Sequence, residues 1–545
     1  MKTTAILLAL LVSFAANAVE PFALDWNLPP YATLEGNILT IDVPEEAARK
    51  GCRASAEIDL SAYDGVPLEA DIEAQGERIA KPRDAWNGLK FQFEYVDPDS
   101  GETQYPNTAS RLGDFPRQTL HVRDSLCTAK RNARLILGLQ DTSGKVVFDL
   151  STLRIREGKP YWPITNETHR CEYTALPNLV KGETRDMRHE TCEDMKTRDA
   201  TTNLASNVSS LVSRQSSLVS SRHLAPHKGV MSPGRDMVED DFATLRDWGA
   251  TLLRYQMCRD WGKTNANRDL AEFNQWLDGR LDHFESVVLP MCRKYGIRVV
   301  LDLHVTPGGR RAGGEFNMFF EREYADYFVD KWRRMAERFR GNADVIYGYD
   351  LCNEPVQHNE ALPECDYWSL QRRAAEAIRE IDPETPIIVE ANNWDVPSNF
   401  SALSPLALTN VIYEVHVYNP FQYTHQGIFR PVDEPVPYPS GGSGWNKDYL
   451  RRILIPVRAF EARHGAKIYV GEFSAAAWAP GAGEYLRDCT DLFNEFGWDW
   501  TYHAFRESPC WSVEHAGPDG RHLAPSADNP RKRALLDGLA AGSEE

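Results

Sequence analysis

Two patterns of apolar residues divide the chain. From about residue 20 to 165, short runs such as NILTIDV, LKFQFEYV and ARLILGLQ alternate polar with apolar residues, and turn sequences such as DPDSG and DTSGK separate them. An alternation with a period of two predicts strands with one buried face, and frequent turns favour antiparallel pairing. This part of the chain is therefore predicted to form an all-β sandwich.

From about residue 226 the pattern changes to strand followed by helix, repeated along the chain. Short apolar runs such as GATLLRYQM, IRVVLDLH and VIYGYDLCNEP follow amphipathic stretches such as LDHFESVVLPMCRKYG. Such runs are typical of parallel strands that helices cover on the outside. Counting a first strand near APHKGVM, we predict eight strands in about 300 residues. We therefore expect an α/β fold, a (β/α)8 TIM barrel with its chemistry at the C-terminal ends of the strands.

Segments of different composition flank and join these two parts. Residues 1–18 are typical of a signal peptide, with Lys2, an apolar stretch and a small-x-small site at Ala16-Asn17-Ala18. This predicts a secreted protein, periplasmic or extracellular. Residues 166–224 are rich in serine and predict a linker or irregular segment. The remaining predicted parts are the sandwich at 19–165, the barrel at 225–530 and a C-terminal tail at 531–545.

Charge and cysteine content narrow the class of partner. The 545 residues carry a formal charge of −18, which disfavours nucleic acid and anionic membranes because phosphate binding needs clustered Lys and Arg. Beyond the signal peptide, no segment approaches the roughly 20 apolar residues of a membrane span. We expect no bound metal, since none of the ten cysteines has zinc-site spacing. We also expect the protein to be a monomer. Two candidate disulfides are Cys52–Cys127 and Cys171–Cys192, and Cys352 reads as a small buried residue.

Polar residues stand where the predicted barrel strands end. In strand order they are Arg254, His304, Asn353 with Glu354, Trp394, His416 with Tyr418, and Glu472. These ends face one mouth of a closed barrel, so the side chains should converge. Pro355 removes a backbone donor and stops the fourth strand directly after Glu354. Two carboxylates, Glu354 and Glu472, would therefore face each other from strands four and seven.

Two facing carboxylates are what glycosidic bond cleavage requires. One must be protonated to give a proton to the leaving oxygen, and the other must be ionised to attack the anomeric carbon. Arg254 as a cation and Tyr418 as a donor would keep Glu472 ionised, while a less polar setting would keep Glu354 protonated. Asn353 could donate to a sugar 2-hydroxyl, a bond that strengthens in the transition state.

The motifs NEP, GEF, RYQM, LDLH and HVY, in this order, resemble those of glycoside hydrolase family 5, the cellulase-type group of clan A. The resemblance covers roughly residues 226–510. It implies that Glu354 is the acid/base and Glu472 the nucleophile. It also implies a −1 sugar site lined by Arg254, His304, Asn353, His416 and Tyr418. The family retains anomeric configuration, which implies carboxyl groups about 5–5.5 Å apart, and it needs no cofactor.

Strand eight departs from the family pattern. The family usually ends this strand with a Trp that stacks under the −1 sugar, whereas the sequence WDWTYHAF places His503 there. Trp500 or Trp511 could supply the platform instead. We include His503, Trp511 and Trp394 among the predicted substrate-binding residues, because sugar faces stack on aromatic rings.

Other interpretations remain open. Each polar residue could be a structural strand-end partner. Glu390, Glu414 and Asp302 are rival carboxylates, of which Glu390 and Glu414 lie deeper and read as structural partners. The substrate is expected to be a polysaccharide or oligosaccharide, with an endoglucanase first and a mannanase or other β-glycanase as alternatives. The barrel could instead be inactive and only bind polysaccharide, or the chain could be a cell-surface adhesion protein. The run LILGLQDTSGKVVFDLSTLRI resembles the closing strands of jelly-roll carbohydrate-binding modules, and a plain sandwich explains it equally well.

Overall fold

The computed structural model describes residues 24–158 and 226–541, apart from residues 51, 85–86, 98–102, 125, 127, 430–431, 433 and 442–443. The predicted signal peptide, the whole predicted linker, Cys127, Cys171 and Cys192 lie outside the described residues. Among the described helices, none is long and apolar enough to cross a membrane.

The N-terminal part is a sandwich of two antiparallel five-stranded sheets, as predicted. One sheet has the order β1-β4-β9-β6-β7 and the other β2-β3-β10-β5-β8. The strands are β1 Trp26–Asn27, β2 Ala32–Glu35, β3 Ile38–Val43, β4 Cys52–Glu57, β5 Leu68–Ile79, β6 Gly88–Val96, β7 Thr103–Gln104, β8 Gly113–Asp124, β9 Arg131–Gln140 and β10 Gly144–Glu157. Their inward residues, Phe91, Phe93, Leu137 and Phe148 among them, form one core.

Two features of the sandwich differ from the sequence prediction. Strand β5 was not predicted, because it alternates acidic residues with small alanines (Ala70, Ala74) and so lacks a strong apolar signal. The candidate Cys52–Cys127 disulfide is wrong. Cys52 is a free, buried thiol that donates to the carbonyl oxygen of Pro30 at 3.0 Å.

The C-terminal part is a closed barrel of eight parallel strands, which confirms the predicted fold. The strands are β11 Lys228–Met231, β12 Leu252–Gln256, β13 Arg298–Asp302, β14 Ile346–Asp350, β15 Ile387–Glu390, β16 Val411–Val417, β17 Lys467–Phe473 and β18 Asp499–Tyr502. A small apolar cluster fills the barrel interior at its lower end: Leu252, Val300, Tyr347, Ile388, Ile412 and Tyr469. Above this plug the interior is polar, which places the chemistry at the C-terminal ends of the strands.

Helices surround the barrel and bury their apolar faces on it. They are α1 Glu239–Asp247, α2 Leu270–His283, α3 Leu289–Tyr295, α4 Arg322–Phe339, α5 Tyr367–Arg379, α6 Phe421–Thr424, α7 Lys447–Ile453, α8 Ile455–His464, α9 Ala482–Phe496 and α10 Pro530–Ala540. A π-helical turn, Phe284–Val288, joins α2 to α3, and a two-stranded ribbon, β19 His515–Ala516 with β20 Ala524–Pro525, follows the barrel. Helix α10 occupies most of the predicted C-terminal tail and packs on α9. The other domain boundaries stay predictions.

Candidate active site

Arg254 lies at the centre of the barrel mouth. Its side chain is fully buried two residues before the end of β12. The guanidinium donates to Glu472 Oε1 at 2.6 Å, to Asp350 Oδ2 at 2.7 Å and to Asn353 Oδ1 at 3.0 Å. Burial alone would lower the pKa of Arg254, but the surrounding carboxylates raise it well above its ordinary value. Arg254 is therefore a permanent cation that orients the residues around it.

Glu472, near the end of β17, is held as a carboxylate. Arg254 donates to Oε1, and the Tyr418 hydroxyl donates to Oε2 at 2.7 Å. Burial alone would raise the pKa of Glu472, but nearby cations, above all His416, His503 and Arg254, hold it well below its ordinary value. The prediction that Arg254 and Tyr418 would keep this carboxyl ionised agrees with these contacts.

Glu354 follows β14 in an unusual backbone conformation. Its φ is 51°, in the left-handed region that costs a non-glycine residue of the order of 1–3 kcal/mol. Its amide donates to Glu390 Oε2 at 2.6 Å, and its carbonyl accepts from Arg310 at 2.9 Å. The surrounding side chains therefore hold the backbone of Glu354 from both sides.

The two candidate catalytic carboxyls share one neighbour, His416. Its Nδ1 lies 3.1 Å from Glu354 Oε1 and 3.9 Å from Glu472 Oε2. One oxygen of Glu354 and one of Glu472 lie within 4.8 Å of each other. Glu354 thus does not lie in the less polar setting that the sequence analysis expects. The two carboxyls differ instead in their donors. Glu472 accepts from Arg254 and Tyr418, whereas the hydrogen bond of the Glu354 carboxyl within the described residues is to His416.

His304 and Asn353 complete the polar wall of the mouth. His304 Nδ1 lies 2.8 Å from Asp302 Oδ2, and His304 Nε2 lies 3.4 Å from Asn353 Nδ2. Asn353 is completely buried, and its Oδ1 accepts from Arg254. Every polar residue predicted at a strand end therefore joins one network.

The aromatic side of the mouth departs from the expected arrangement in one respect. Trp500 is fully buried, and its Nε1 donates to Asn494, so it cannot be the sugar platform. His503 lies 5.5 Å from the half-buried Trp511 and 6.1 Å from Tyr418, measured between ring centroids. Both His503 and Trp511 thus belong to the mouth.

His503 is paired with a residue that the sequence analysis missed. Its Nε2 lies 2.9 Å from Glu507 Oε2. Burial would lower the pKa of His503, but the charges of Glu507 and Glu472 raise it above its ordinary value. At the position where the family pattern leads us to expect an indole, this barrel presents an imidazole that is paired with Glu507 and lies near the nucleophile candidate.

Arg310 was also missed, because it lies in the glycine-rich stretch TPGGRRAGG after β13. Its guanidinium carbon lies 4.1 Å from the ring centroid of Phe316 and 4.7 Å from that of Trp394. It donates to the carbonyl oxygens of Gly314, Asn353 and Glu354. Trp394, a predicted substrate-binding residue, therefore contacts Arg310, and Arg310 in turn binds the backbone of Glu354.

The rival carboxylates form a layer beneath the mouth. Glu390 Oε1 and Glu414 Oε1 lie 3.1 and 3.2 Å from Arg254 Nη2, and Asp302 Oδ2 lies 3.6 Å from Nη1. All three carboxylates are fully buried. The prediction that Glu390 and Glu414 are structural partners agrees with these contacts, and Asp302 lies in the same layer. Arg254 occupies the space between Asp350, Glu390 and Glu414, whose oxygens come close enough together to suggest a metal site.

A second trio, Glu354, His416 and Glu472, also has ligand-type atoms within 4.8 Å of one another. Hydrogen bonds from Arg254, Tyr418 and His416 already account for this proximity. The trio can therefore act as a proton-transfer and nucleophile site built from side chains alone.

Comparisons with known proteins identify the family. The family model for cellulase, glycosyl hydrolase family 5, matches residues 222–506, slightly more than half of the chain. This chain belongs to glycoside hydrolase family 5. The match confirms the predicted family and shows that the protein is a glycoside hydrolase, so its substrate is a glycan.

Individual relatives are distant. Endoglucanase C of Acetivibrio thermocellus is 28% identical over 271 residues, which cover 45% of this chain and 76% of that protein. Cellodextrinase A of Ruminococcus flavefaciens is 25% identical over 242 residues, covering 43% and 68%. The solved endoglucanase of Thermotoga maritima aligns at 19% identity with a TM-score of 0.43, covering 57% of this chain and 96% of that one.

Proposed function

We propose that the protein is a secreted retaining endo-β-glucanase in which Glu472 is the nucleophile and Glu354 the acid/base. The observation that carries this proposal is the asymmetry of the two carboxyls. Glu472 accepts from Arg254 and Tyr418, and its pKa lies well below the ordinary value. Glu354 stands within 4.8 Å of it, which suits the short carboxyl separation of retaining enzymes, about 5–5.5 Å, better than that of inverting ones.

The reaction then takes two steps. In the first, Glu472 attacks the anomeric carbon while Glu354 gives its proton to the glycosidic oxygen, so that the C–O bond breaks and a glycosyl ester forms on Glu472. In the second, Glu354 takes a proton from water, the water oxygen attacks the anomeric carbon, and Glu472 leaves as a carboxylate. Arg254 and Tyr418 stabilise the carboxylate at the start and at the end.

Endo action on a polymer is supported by aromatic surface that extends outward from the mouth. His425 lies 5.0 Å from Tyr418, between ring centroids, and stacks on Phe421 at 4.1 Å. Phe421 and Phe429 are 53% and 65% exposed, and their rings lie within 12° of parallel. Burial lowers the pKa of His425 to about 3, so this ring stack is uncharged at neutral pH. Exposed rings beyond the cleavage site suit additional sugar units.

The choice of a β-glucan over mannan or xylan follows the named activities of the endoglucanase and cellodextrinase relatives. The test is reducing-sugar release from soluble β-1,4- and β-1,3-glucan, mannan, xylan and xyloglucan. We expect release from a β-glucan that is lost in both Glu354→Ala and Glu472→Ala. Release that persists in either variant would contradict the roles proposed for the pair, and release from mannan or xylan alone would contradict the substrate.

Export remains part of the proposal and rests on residues 1–18 of the sequence. N-terminal sequencing of the protein recovered outside the cytoplasm is expected to begin at Val19. A product that stays in the cytoplasm with Met1 retained would contradict it.

A further inference from the structure

The outer face of one sandwich sheet carries two neighbouring hollows. Their volumes are about 810 and 720 Å³. Glu94 lines both of them, so together they form one groove across strands β4, β9 and β6. The size of each hollow is that of a small-molecule site rather than of an irregularity in the surface.

The strand register explains why this face is hollow. On β6, Leu89, Phe91 and Phe93 point into the sandwich core, so Lys90, Gln92 and Glu94 point to the outer face. Gly138 pairs with Arg53 on one side and with Lys90 on the other, and it contributes no side chain between them. The segment from Tyr105 to Ser110 lines the edge of the groove beside β6.

Buried amide oxygens without a partner line the groove. The side-chain oxygens of Asn87 and Asn107 are buried and have no hydrogen-bond partner among the described residues, and Asn87 as a whole is only 9% exposed. A buried polar atom without a partner is destabilising, so an occupant with hydroxyl groups would stabilise the site. Gln92, 4% exposed, lies beside them in the lining. Tyr105, at the rim of the same groove, is 58% exposed and offers an apolar ring face.

The chemistry of the lining selects the class of occupant. Side-chain amides, which both donate and accept, come from Asn87, Gln92, Asn107 and Gln140. Arg134 donates to Glu94 at 2.5 Å near the middle of the groove, so these two charges are paired. Glu57 and Asp59 share one end with Lys130 and Arg131, and Arg53 and Lys90 line the other end, so the lining carries charges of both signs. Amides, paired charges and an exposed ring suit a neutral polyhydroxylated chain.

We propose that this groove binds a linear glycan chain, the polymer that the barrel cleaves, as a second site separate from the catalytic mouth. The identity of the polymer rests on the proposed function. The proposal requires that groove variants weaken binding to polymer and leave turnover of a short soluble substrate unchanged.

The first test is affinity electrophoresis of the full chain in gels that contain mixed-linkage β-glucan, cellulose derivative, xylan or mannan, on a Glu472→Gln background that prevents hydrolysis. We expect Gln92→Ala with Tyr105→Ala to weaken retardation by the preferred glycan at least about fivefold. The matched control is Gln118→Ala with Tyr31→Ala on the opposite sheet, which should not change it; Tyr31 is 47% exposed. Equal retardation of the groove and control variants would overturn the proposal.

The second test separates this proposal from the proposed function. On the wild-type background, the groove variant should hydrolyse a soluble tetrasaccharide like the parent and an insoluble polymer several-fold more slowly. Retardation that depends on the groove, without hydrolysis of any glycan, would sustain the groove and contradict the catalytic proposal. If the groove variant hydrolyses insoluble polymer as fast as the parent does, the catalytic proposal is supported and the groove proposal is contradicted. Circular dichroism of each variant confirms that it folds.

Discussion

Two networks of charged side chains in this molecule differ in burial and in the ratio of cations to carboxylates. On the outer face of the second sandwich sheet, Arg117, Arg123 and Arg156 pair with acidic residues of the neighbouring strands, and the arginines are 35–56% exposed. At the barrel mouth, Arg254 faces five carboxylates, and all six side chains are buried. The exposed network joins three arginines to four carboxylates, and water screens its charges, so the pairs contribute little to stability. The buried network has an excess of acid, and its pKa values are far from ordinary.

The difference shows where the molecule concentrates function. Burial raises the pKa of Asp350 and Glu390 well above the ordinary value, while nearby cations hold that of Glu472 well below it. The pKa values of carboxyls a few ångströms apart are thus shifted in opposite directions. Opposed shifts suit acid–base chemistry and cluster at functional sites. Breaking the two networks should have very different consequences.

The largest effect is expected from Arg254→Met. Removing the cation leaves several buried carboxylates without compensation, which typically costs roughly 3–5 kcal/mol of unfolding free energy. We expect activity to fall by more than about a thousandfold, because Glu472 loses a donor and its low pKa. Denaturant unfolding and kcat/KM measure the two effects.

Arg254→Lys keeps the positive charge but loses the planar guanidinium with its several donors. It replaces the Met variant in the test if that variant fails to fold. We expect it to remain at least about a hundredfold impaired. Near-wild-type turnover in the Lys variant would contradict the role given to the multiple hydrogen bonds of the guanidinium.

A smaller and more selective effect is expected from Arg310→Met. Arg310 holds the backbone of Glu354 through two carbonyl oxygens, so losing it should impair proton donation specifically. We expect kcat to fall about 10- to 100-fold on a glycan, whose leaving group needs the acid, and far less on a dinitrophenyl glycoside, whose leaving group does not. Arg311→Met is the neighbouring control; its side chain pairs with Glu315 at 3.4 Å. Equal losses on both substrates would mean that Arg310 is only structural.

The pH profile should report the donors of Glu472. Because the folded enzyme holds the pKa of Glu472 below its ordinary value, the nucleophile stays ionised, and activity should fall only when the pH drops below about 4.3. Tyr418→Phe removes one donor, so the pKa of Glu472 should rise and the acid limb of kcat/KM should move up by about one to two pH units. Tyr423→Phe, whose hydroxyl donates to Pro480 instead, is the control. An unshifted limb in Tyr418→Phe would count against this contact.

The smallest effect is expected in the exposed network. Arg156 pairs with Glu69 and Asp71 on the sandwich surface, and its side chain is 40% exposed. We expect Arg156→Ala to change the Tm by no more than about 2 °C and activity not at all. A loss comparable to that of Arg254→Met would erase the distinction between the two networks.

The sequence predicts the barrel well because strand ends converge by topology alone. Glu354, Glu472 and the polar residues beside them stand directly at those ends, so their meeting follows from the order of the elements. Arg310 could not be found in this way, since it lies in a glycine-rich loop whose path depends on contacts. Gly314 shows the constraint: a β-carbon there would lie 2.9 Å from the Trp394 ring. No periodicity in the sequence encodes such an approach.

The sequence also cannot show which charged side chains contact one another. It places Glu390 and Glu414 in strands, but it does not show that their oxygens both contact the Arg254 guanidinium, because this contact depends on closure of the barrel. It also gives no sign that Glu507 pairs with His503, since the two are joined by a loop that lacks regular structure. The groove on the sandwich depends in turn on the register that places Gly138 between two long side chains.

The account rests on Glu472 as the covalent nucleophile. The most direct measurement is to treat the enzyme with a 2-deoxy-2-fluoro glucosyl or cellobiosyl fluoride and to locate the label by mass spectrometry of its peptides. We predict one label per molecule on the peptide that contains Glu472, and much slower turnover of that adduct in Glu354→Ala. A label on another carboxylate, or turnover of glycan by an enzyme that never becomes labelled, would contradict the central claim.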